Sequence, residues 1–473
     1  MNGYLATGGK DCVGNAAQGN LSVAEFRQLV ADGAVDTVII AVCDMQGRLM
    51  GKRVRADHYV AHCLEHGVHF CVYLLGTDME MNTPDGYQLM NWETGYGDWL
   101  ARPDYATLRL IPWLQKSALV LADAADETSG NLVEIAPRSI LRRQLARAEA
   151  LGLHLKMASE LEFYLLNDTY ESARGKGFQN LDRHGWYNED YHLLQGTKAE
   201  PLYRTIRNAM TEAGVPIEGS KGEAAPGQHE MNIRFAGALE AADRHALFKH
   251  GAKEMALQAG KAITFMAKPD QTWTGSSSHI HISAWDAAGD RNLFHDSGAA
   301  PYDMSRTMRH FLGGLMASAR ELSLFWASTI NAYKRYAVAS WAPVNIVWGR
   351  DNRTCGFRVV GHGDSLRIEN RFPGADANPY LAYAAVIAGG LYGIEHEIEA
   401  PDECRGNGYV ARGAARIPRS LYEAIGVLSK GRIARAAFGD SVVDHYLNMA
   451  RVEQEAYDAA VTTWERERYL ERS

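Results

Sequence analysis

Carboxylate, imidazole and guanidinium side chains are concentrated in four segments whose residues alternate in the manner of β-strands. Residues two apart on a strand point to the same face, so each segment can hold its polar groups on one face and its apolar groups on the other. The polar groups are Glu160 and Glu162; Glu230, with Glu223 seven residues before it; His279, His281 and Ser283; and Arg367, Glu369 and Arg371. Carboxylates that lie side by side repel each other. The pattern therefore predicts that cations normally sit between them.

Six of these side chains form a candidate metal-ligand set: Glu160, Glu162, Glu223, Glu230, His279 and Glu369. Five carboxylates and one imidazole suit hard divalent cations such as Mg²⁺ or Mn²⁺, and they do not suit a thiolate-dominated zinc site. Six ligands with several arginines nearby predict two ions and a phosphorylated substrate. Metal ions and arginines can together neutralise a transferring phosphoryl group.

Arginines are also concentrated between residues 331 and 379, which indicates an anion-binding wall, because the guanidinium fork pairs two oxygens of a carboxylate or phosphate at once. Alternating charges on a strand are, however, common on solvated surfaces, and Glu369 taken alone could be only a counter-ion of its arginines. The chain has neither a GxxxxGK[ST] P-loop nor a GxGxxG motif after a strand. A nucleotide would therefore need another phosphate-binding architecture.

The elements that must position these residues follow from periodicity and turn signals. Helices are predicted at 21–32 with Ser22 as N-cap, at 137–151 ended by Gly152, at about 240–266, 303–328 and 379–399, and in the tail 420–470. Strands are predicted at 37–44, 48–55, 107–112, 117–122, 155–166 and 275–285, and from residue 229 onward. We expect a flexible leader (1–20), an N-terminal module (21–115) and a catalytic module (116–473).

The composition is typical of a soluble protein, with 46% hydrophobic and 22% charged residues among 473. A net charge of -8 argues against general nucleic-acid binding. The six cysteines are scattered, which favours reduced thiols. No signal peptide and no apolar run of about 18 residues is evident. We therefore expect a cytoplasmic protein that does not enter a membrane.

Five motifs, in order, resemble the glutamine synthetase family from Asp44 through Tyr383: SELEF, GEAAPGQHE, GSSSHIH, NAYKR and RIENRFPGADANPYL. The resemblance implies an α+β fold with an N-terminal β-grasp domain. Its catalytic domain would be a funnel of antiparallel strands packed by helices, in a ring-shaped homo-oligomer. In this family ATP enters one end of the funnel and glutamate the other, γ-glutamyl phosphate forms, and an amine displaces phosphate.

The resemblance also implies a role for each matching position. Glu162, Glu223 and Glu230 would bind one metal ion, and Glu160, His279 and Glu369 the other. Gly275, Arg335 and Arg371 would bind glutamate, Arg353 would stabilise the phosphoryl group, and His281, Ser283, Arg358 and Arg367 would contact ATP. Asp44 matches an aspartate that reaches into the neighbouring subunit's site to bind and deprotonate ammonium. From its own context, at a strand end before a turn, Asp44 is more typical of a turn former.

One position departs from the family pattern. Ammonia-using members carry a flap glutamate six residues after the arginine of NAYKR, and Trp341 stands there in this chain. A buried ammonium ion needs anionic partners, whereas an organic amine brings carbon that a tryptophan can cover. We therefore predict an ATP-dependent ligase that joins the γ-carboxyl of glutamate to an organic amine, with Trp341 in the amine pocket. The alternatives are glutamine synthesis from ammonia and a catalytically silent, ring-forming regulatory protein.

Overall fold

The computed structural model describes residues 19–473. Its helices are α1 (Val23–Ala31), α2 (Ala56–His58), α3 (Pro137–Ala150), α4 (Tyr170–Gly175), α5 (Leu193–Glu212), α6 (Ala238–Gln258), α7 (Arg306–Trp326), α8 (Ile330–Tyr333), α9 (Pro379–Glu395), α10 (Leu421–Leu428), α11 (Ile433–Phe438), α12 (Asp440–Ala459) and α13 (Thr463–Tyr469). Its strands are β1 (Thr37–Cys43), β2 (Leu49–Arg55), β3 (Val68–Cys71), β4 (Asp98–Pro103), β5 (Arg109–Leu110), β6 (Ser117–Ala125), β7 (His154–Leu166), β8 (Ile217–Gly222), β9 (Gln228–Ile233), β10 (Ala236–Gly237), β11 (Ala262–Thr264), β12 (Ser278–Trp285), β13 (Trp348–Arg350), β14 (Phe357–Val360) and β15 (Arg367–Asn370).

The first sheet has the order β2-β1-β6-β4-β3, and β5 also pairs with β6. Its central strands β1 and β6 are parallel, and the remaining pairs are antiparallel. Phe26 of α1 is fully buried in the core that also contains Val38 and Ile40 of β1. This mixed sheet with its packed helix is the predicted β-grasp domain.

The second sheet has the order β13-β14-β15-β12-β7-β9-β8, with β10 and β11 also paired to β7. All of its pairs are antiparallel except β13 with β14. The thirteen-residue β7 lies inside this sheet, between β12 and β9. This is the predicted antiparallel catalytic sheet, and it confirms the α+β class.

Helices α7 and α9 pack directly on each other. A Cβ on Gly314 would lie 2.3 Å from the carbonyl oxygen of Gly389 and 2.4 Å from the Cα of Gly393. Any larger side chain at Gly314 would therefore push the two backbones apart. The close contact makes α9 a fixed support at the end of the segment that carries the arginines.

Asn378 links α9 to the first sheet. Its side-chain oxygen accepts from the backbone N–H of Tyr380 at 3.0 Å and so caps the helix. Its side-chain nitrogen donates to the backbone oxygens of Asp44 and Met45, at 3.0 and 3.1 Å. One buried amide therefore holds the catalytic module against the turn after β1.

Most predicted elements are present, and their boundaries show where local signals fail. The strand predicted at 107–112 is reduced to β5, because the Asp104 side chain caps a 3₁₀ turn at Tyr105–Thr107. The helix predicted at 240–266 ends at Gln258, because the chain reverses at Gly260 and enters β11, which pairs with β7. Strand β12 begins at Ser278 and not at 275.

Other expectations concern the ends and divisions of the chain. The predicted leader covers residues 1–20, and residues 1–18 of it lie outside the described part of the chain. The side-chain oxygen of Asn20 accepts from the backbone N–H of Leu110 at 3.0 Å. The division at residue 115 stays a prediction; the strand that follows it, β6, belongs to the first sheet. Helices α4 and α5 had no sequence prediction. Within residues 19–473, no helix combines the length and apolar character needed to span a membrane.

Arg138, at the start of α3, joins the two modules through a buried ion-pair network. Its guanidinium donates to Asp243 of α6 at 3.0 and 2.9 Å, to Asp123 of β6 at 2.6 Å and to Asp104 at 2.7 Å. Asp243 is 0% exposed and Arg138 is 4% exposed. Arg142 also pairs with Asp104 and Asp123, so removing Arg138 would leave the buried Asp243 without its arginine partner.

We expect Arg138→Met to lower the free energy of unfolding by about 3–5 kcal/mol, the usual cost of removing one partner of a buried ion pair. Arg27→Met is the matched control, because the Arg27–Glu65 pair is 4.0 Å apart with side chains 48% and 79% exposed; it should change stability by less than about 1 kcal/mol. Urea unfolding of both variants measures the difference. Equal losses would contradict the structural role of the network.

Candidate active site

Strand register places five of the six candidate ligands on neighbouring strands of the second sheet. Glu162 stands opposite Glu230, Glu160 opposite His279, and His281 opposite Glu369. Residues directly opposite on antiparallel strands have Cβ atoms about 4.5–5.5 Å apart. Four strands, β9, β7, β12 and β15, therefore bring together side chains that are far apart in sequence.

The six predicted ligands form two groups. The first cluster is Glu160, His279 and Glu369, and the second cluster is Glu162, Glu223 and Glu230. In each cluster, one possible ligand atom from each residue lies within 4.8 Å of those of the other two. The grouping is the one predicted from the sequence, although the identity of each residue as a ligand stays a prediction.

The carboxylates of the first cluster are compensated by two arginines and an imidazole. Arg358 donates to Glu369 at 2.9 Å, and Arg371 donates to the other oxygen of the same carboxylate. Burial is the largest single influence on Glu369 and opposes its charged form, but the neighbouring groups, Arg371 foremost, together outweigh burial and lower the pKa to about 2. His281 lies 2.9 Å from Glu160 and likewise holds the pKa of that carboxyl below its usual value against burial.

The second cluster has less compensation. Burial and the neighbouring Glu223 raise the pKa of Glu162 to about 8. Burial, Glu160 and Glu223 raise the pKa of Glu230 well above its usual value. The cationic neighbours of this cluster include Lys221, which bonds to Glu223 and stands opposite Glu230 in the β8–β9 register. They also include Arg335, whose charge acts on Glu162. A divalent cation would supply the missing positive charge.

His279 is prepared to act as a ligand. Burial lowers its pKa well below the usual value, so the imidazole is neutral and can offer a lone pair to a metal ion. Its Nδ1 atom is buried and has no hydrogen-bond partner within the described part of the chain. Its Nε2 atom lies 3.1 Å from Ser277 Oγ. A neutral imidazole with an unpaired buried nitrogen, grouped with two carboxylates, fits a divalent cation.

Ser277 and Gln228 belong to the site and were missed by sequence reasoning. Ser277 donates to Glu162 through its backbone N–H at 2.8 Å and its hydroxyl at 2.5 Å. Gln228 donates to Glu162 at 3.3 Å and to the carbonyl of Gly275 at 3.0 Å. Both lie in motifs that were noticed, but their role depends on register, which the motifs do not reveal. Lys221 was missed for the same reason.

The predicted glutamate-binding residues lie together. Arg335 is 3% exposed, and its Nη2 donates to the carbonyls of Arg371, Phe372 and Pro373. A Cβ on Gly275 would lie 2.5 Å from Arg335 Cγ, so only glycine lets the arginine approach this closely. The Nε atoms of Arg335 and Arg371 are buried and have no partner within residues 19–473, which leaves donor capacity for an anion.

The predicted ATP-binding residues form a second group beside the first cluster. Arg367 donates to His281 Nδ1 at 3.1 Å, which orients that imidazole toward Glu160. Arg358 is shared between Glu369 and Asp351. Ser283 accepts from the indole of Trp285 at 2.9 Å. Glu369 therefore does serve as a counter-ion of Arg358 and Arg371, as one interpretation of the sequence allowed.

Asp44 lies apart from the two clusters, in the turn after β1. Its carboxylate is 1% exposed and accepts from the backbone N–H of Arg48 at 2.7 Å and from the Arg48 guanidinium at 2.6 Å. Burial raises its pKa despite this partner. These are the contacts of a turn former. Arg48 would have to move before Asp44 could reach a neighbouring subunit, so the shared-site role stays a prediction.

Arg353 and Trp341 stand at the open edge of the site. Arg353 is exposed and lies near the Asp351 carboxylate. Trp341 is 60% exposed and has a positive φ of 63°, which is unusual for a large residue. In the turn before Trp341, the Ser340 hydroxyl donates to the carbonyl oxygen of Ala337 at 2.6 Å.

A family model described as "Glutamine synthetase, catalytic domain" matches residues 134–469. The chain belongs to the glutamine synthetase family. It is 50% identical over 452 residues to a γ-glutamylethanolamide synthetase of Streptomyces coelicolor, covering 96% of each chain. It is 37% identical over 452 residues to a glutamate–isopropylamine ligase of a Pseudomonas species, covering 95% of this chain and 98% of the other.

A solved structure described as a GmaS/ADP complex has a TM-score of 0.82 with this chain at 30% identity, covering 94% of this chain and 99% of its own. Together with the sequence relatives, it confirms the predicted family, fold class and enzyme class, a glutamate–amine ligase. Membership of the glutamine synthetase family implies dependence on ATP and a divalent metal ion.

We expect Glu162→Gln to remove the part of the Mn²⁺ stabilisation that comes from the second cluster, because the variant keeps the shape of the side chain but removes a charge from that cluster. A bound ion at about 100 times its Kd stabilises a folded protein by about 2.7 kcal/mol. Differential scanning calorimetry with and without Mn²⁺ measures the shift in Tm. The exposed Glu467→Gln should retain the full shift, and equal shifts in the two variants would refute the assignment.

Proposed function

We propose that this protein joins the γ-carboxyl of glutamate to an organic amine, with consumption of ATP, to give a γ-glutamyl amide, ADP and phosphate. The observation that carries the proposal is Trp341, an exposed indole where ammonia-using members have a flap glutamate. The two relatives named above support it, since ethanolamine and isopropylamine both carry carbon that must be covered. The amine of this chain could also be aromatic or a polyamine.

The two clusters would hold Mg²⁺ or Mn²⁺, one ion or more in each. The donor sets fit these hard cations, because they offer carboxylate oxygens and one neutral imidazole. When bound, the ions would neutralise charge on the phosphates of ATP and on the transferring phosphoryl group. Ser277 and Gln228 fix the orientation of Glu162 and so set the shape of the second cluster before any ion arrives.

Glutamate would bind where Gly275, Arg335 and Arg371 meet. The two buried guanidinium groups have spare Nε donors that can pair with carboxylate oxygens. ATP would bind beside the first cluster, against His281, Ser283, Arg358 and Arg367. In this arrangement the γ-carboxylate attacks the terminal phosphorus of ATP, ADP leaves, and γ-glutamyl phosphate forms. Arg353 would stabilise the charge that develops on the phosphoryl oxygens.

The amine would then attack the acyl phosphate with release of phosphate and a proton. We propose that Trp341 covers the carbon of the amine, and that Asp44 of a neighbouring subunit accepts the proton in a ring-shaped homo-oligomer. We also propose that the N-terminal module ends at residue 115 and that the protein is cytoplasmic.

Use of ammonia remains the alternative reaction. A silent regulatory protein is disfavoured, because such a protein would have no chemical reason to keep six ligand positions.

The wild-type enzyme should use at least one amine with an apolar group far better than ammonia, as judged by kcat/KM at equal pH. Trp341→Glu should weaken that amine, because it removes covering carbon and places a carboxylate beside the substrate. Release of phosphate with glutamate, ATP and a panel of amines measures both effects. If ammonia is the best substrate over a broad panel, the organic-amine function is wrong and ordinary glutamine synthesis takes its place.

Arg353→Ala should lower kcat by about 10²-fold or more, the usual effect of removing one preorganised charge stabiliser, and it should change the KM for ATP much less. Arg405→Ala is the matched control, because the Arg405 side chain is 86% exposed and pairs only with Glu403 among the described residues. Steady-state kinetics with saturating glutamate and amine separate the two constants. A variant that changes only the KM for ATP would move Arg353 to the nucleotide pocket.

A further inference from the structure

Tyr409 is held between the segment that follows Trp341 and the loop that carries Arg353. Asn345, four residues after Trp341, donates through its side-chain nitrogen to the backbone oxygens of Gly408 and Tyr409, at 2.8 and 3.1 Å. The backbone N–H of Gly408 donates to the Thr354 hydroxyl at 2.8 Å. These bonds fix the backbone of Tyr409 beside both residues that the proposed function places at the reacting end of the site.

Gly408 packs tightly against the backbone of Thr354. A Cβ on Gly408 would lie 2.5 Å from the carbonyl oxygen of Thr354. The segment around Tyr409 therefore lies directly on the loop of Arg353, and a shift of either one would move the other. Asn345 is itself 7% exposed, so its amide is a buried and specific tether. The position of Tyr409 is set by the fold and not by a mobile surface loop.

The hydroxyl of Tyr409 is buried and forms no hydrogen bond of good geometry to any residue from 19 to 473. It lies within the electrostatic influence of Arg371 and Arg335, and the backbone N–H of Trp341 approaches it. Burial raises the pKa of Tyr409, so the hydroxyl is protonated at neutral pH and can both donate and accept. A buried polar group without a partner is uncommon and calls for an explanation.

We propose that Tyr409 is a specificity-determining residue whose hydroxyl hydrogen-bonds a hydroxyl group on the amine, and that the preferred amines are amino alcohols. This assignment rests on the proposed function. The side chain is neutral, and a neutral phenol matches a neutral hydroxyl better than it matches a carboxylate, for which two arginines are already present. Trp341 would cover the carbon between the amino group and the hydroxyl, and Tyr409 would bind the polar end.

The test compares ethanolamine with n-propylamine, in which a methyl group replaces the hydroxyl. The wild-type enzyme should favour ethanolamine, and Tyr409→Phe should lower the ratio of kcat/KM for ethanolamine to that for n-propylamine about tenfold, the typical effect of losing one neutral hydrogen bond. The KM for glutamate should stay within about twofold. Tyr422→Phe is the matched control, because Tyr422 is 73% exposed and outside the site; its ratio should equal that of wild type.

Each other outcome is decisive. A wild-type enzyme that favours n-propylamine, or a Tyr409→Phe variant with an unchanged ratio, would overturn the assignment and leave the organic-amine function standing. A rise in the KM for glutamate with both amines would place Tyr409 in the glutamate pocket instead. An equal fall in kcat for both amines would make it a general catalytic group. Activity with ammonia alone would overturn the proposed function and this assignment together. Thermal unfolding of Tyr409→Phe checks that the fold is intact.

Discussion

The crowding of five carboxylates, three of them buried, beside one sheet is the constraint on which the rest of the site depends. Charged groups are costly to remove from water unless they are paired. In the first cluster, Arg358, Arg371 and His281 supply most of the pairing, and the carboxyl pKa values of Glu160 and Glu369 are lowered. In the second cluster, Lys221 supplies less, and two carboxyl pKa values are raised. A bound cation would therefore relieve more carboxylate repulsion in the second cluster than in the first.

The fold supports this concentration of charge by making the sheet rigid around it. Strand β7 has neighbours on both sides, and α6 lies close against it. The ion pairs of Arg138 and the two hydrogen bonds of Asn378 then hold the first sheet against the catalytic module. The arginines near the clusters are consequently fixed in place before substrate binds, which is the condition under which charges stabilise a reaction most effectively.

Strand alternation and motif order were enough to recognise the family resemblance, and that resemblance implied both sheets and the division of the ligands into two clusters. Alternation identifies the face on which Glu160 and Glu162 lie, because the side-chain period of a strand is two. Register could not be predicted, since it depends on which strands become neighbours. For that reason the contacts of Ser277, Gln228 and Lys221 with the second cluster were missed. The end of α6 was misplaced because pairing of β11 with β7 overrides the helical propensity of its Ala-rich and Met-rich sequence.

Asp44 shows a different limit of sequence reasoning. A motif match assigns it to a neighbouring subunit's site, whereas its contacts within one chain are those of a buried turn residue bonded to Arg48. Trp341 and Tyr409 show the converse. One is exposed, and the other has a buried hydroxyl without a hydrogen-bond partner among residues 19–473; the proposed function explains both by contact with the substrate. In the proposed function these two residues contact the amine, while the two clusters bind the metal ions.

The most direct test of the central claim is anomalous diffraction from crystals grown with Mn²⁺ and without nucleotide. If the buried carboxylates exist to hold cations, a strong peak should lie among Glu162, Glu223 and Glu230, and a second peak of equal or lower occupancy among Glu160, His279 and Glu369. Empty clusters at saturating Mn²⁺, or peaks only at surface carboxylates, would contradict the account.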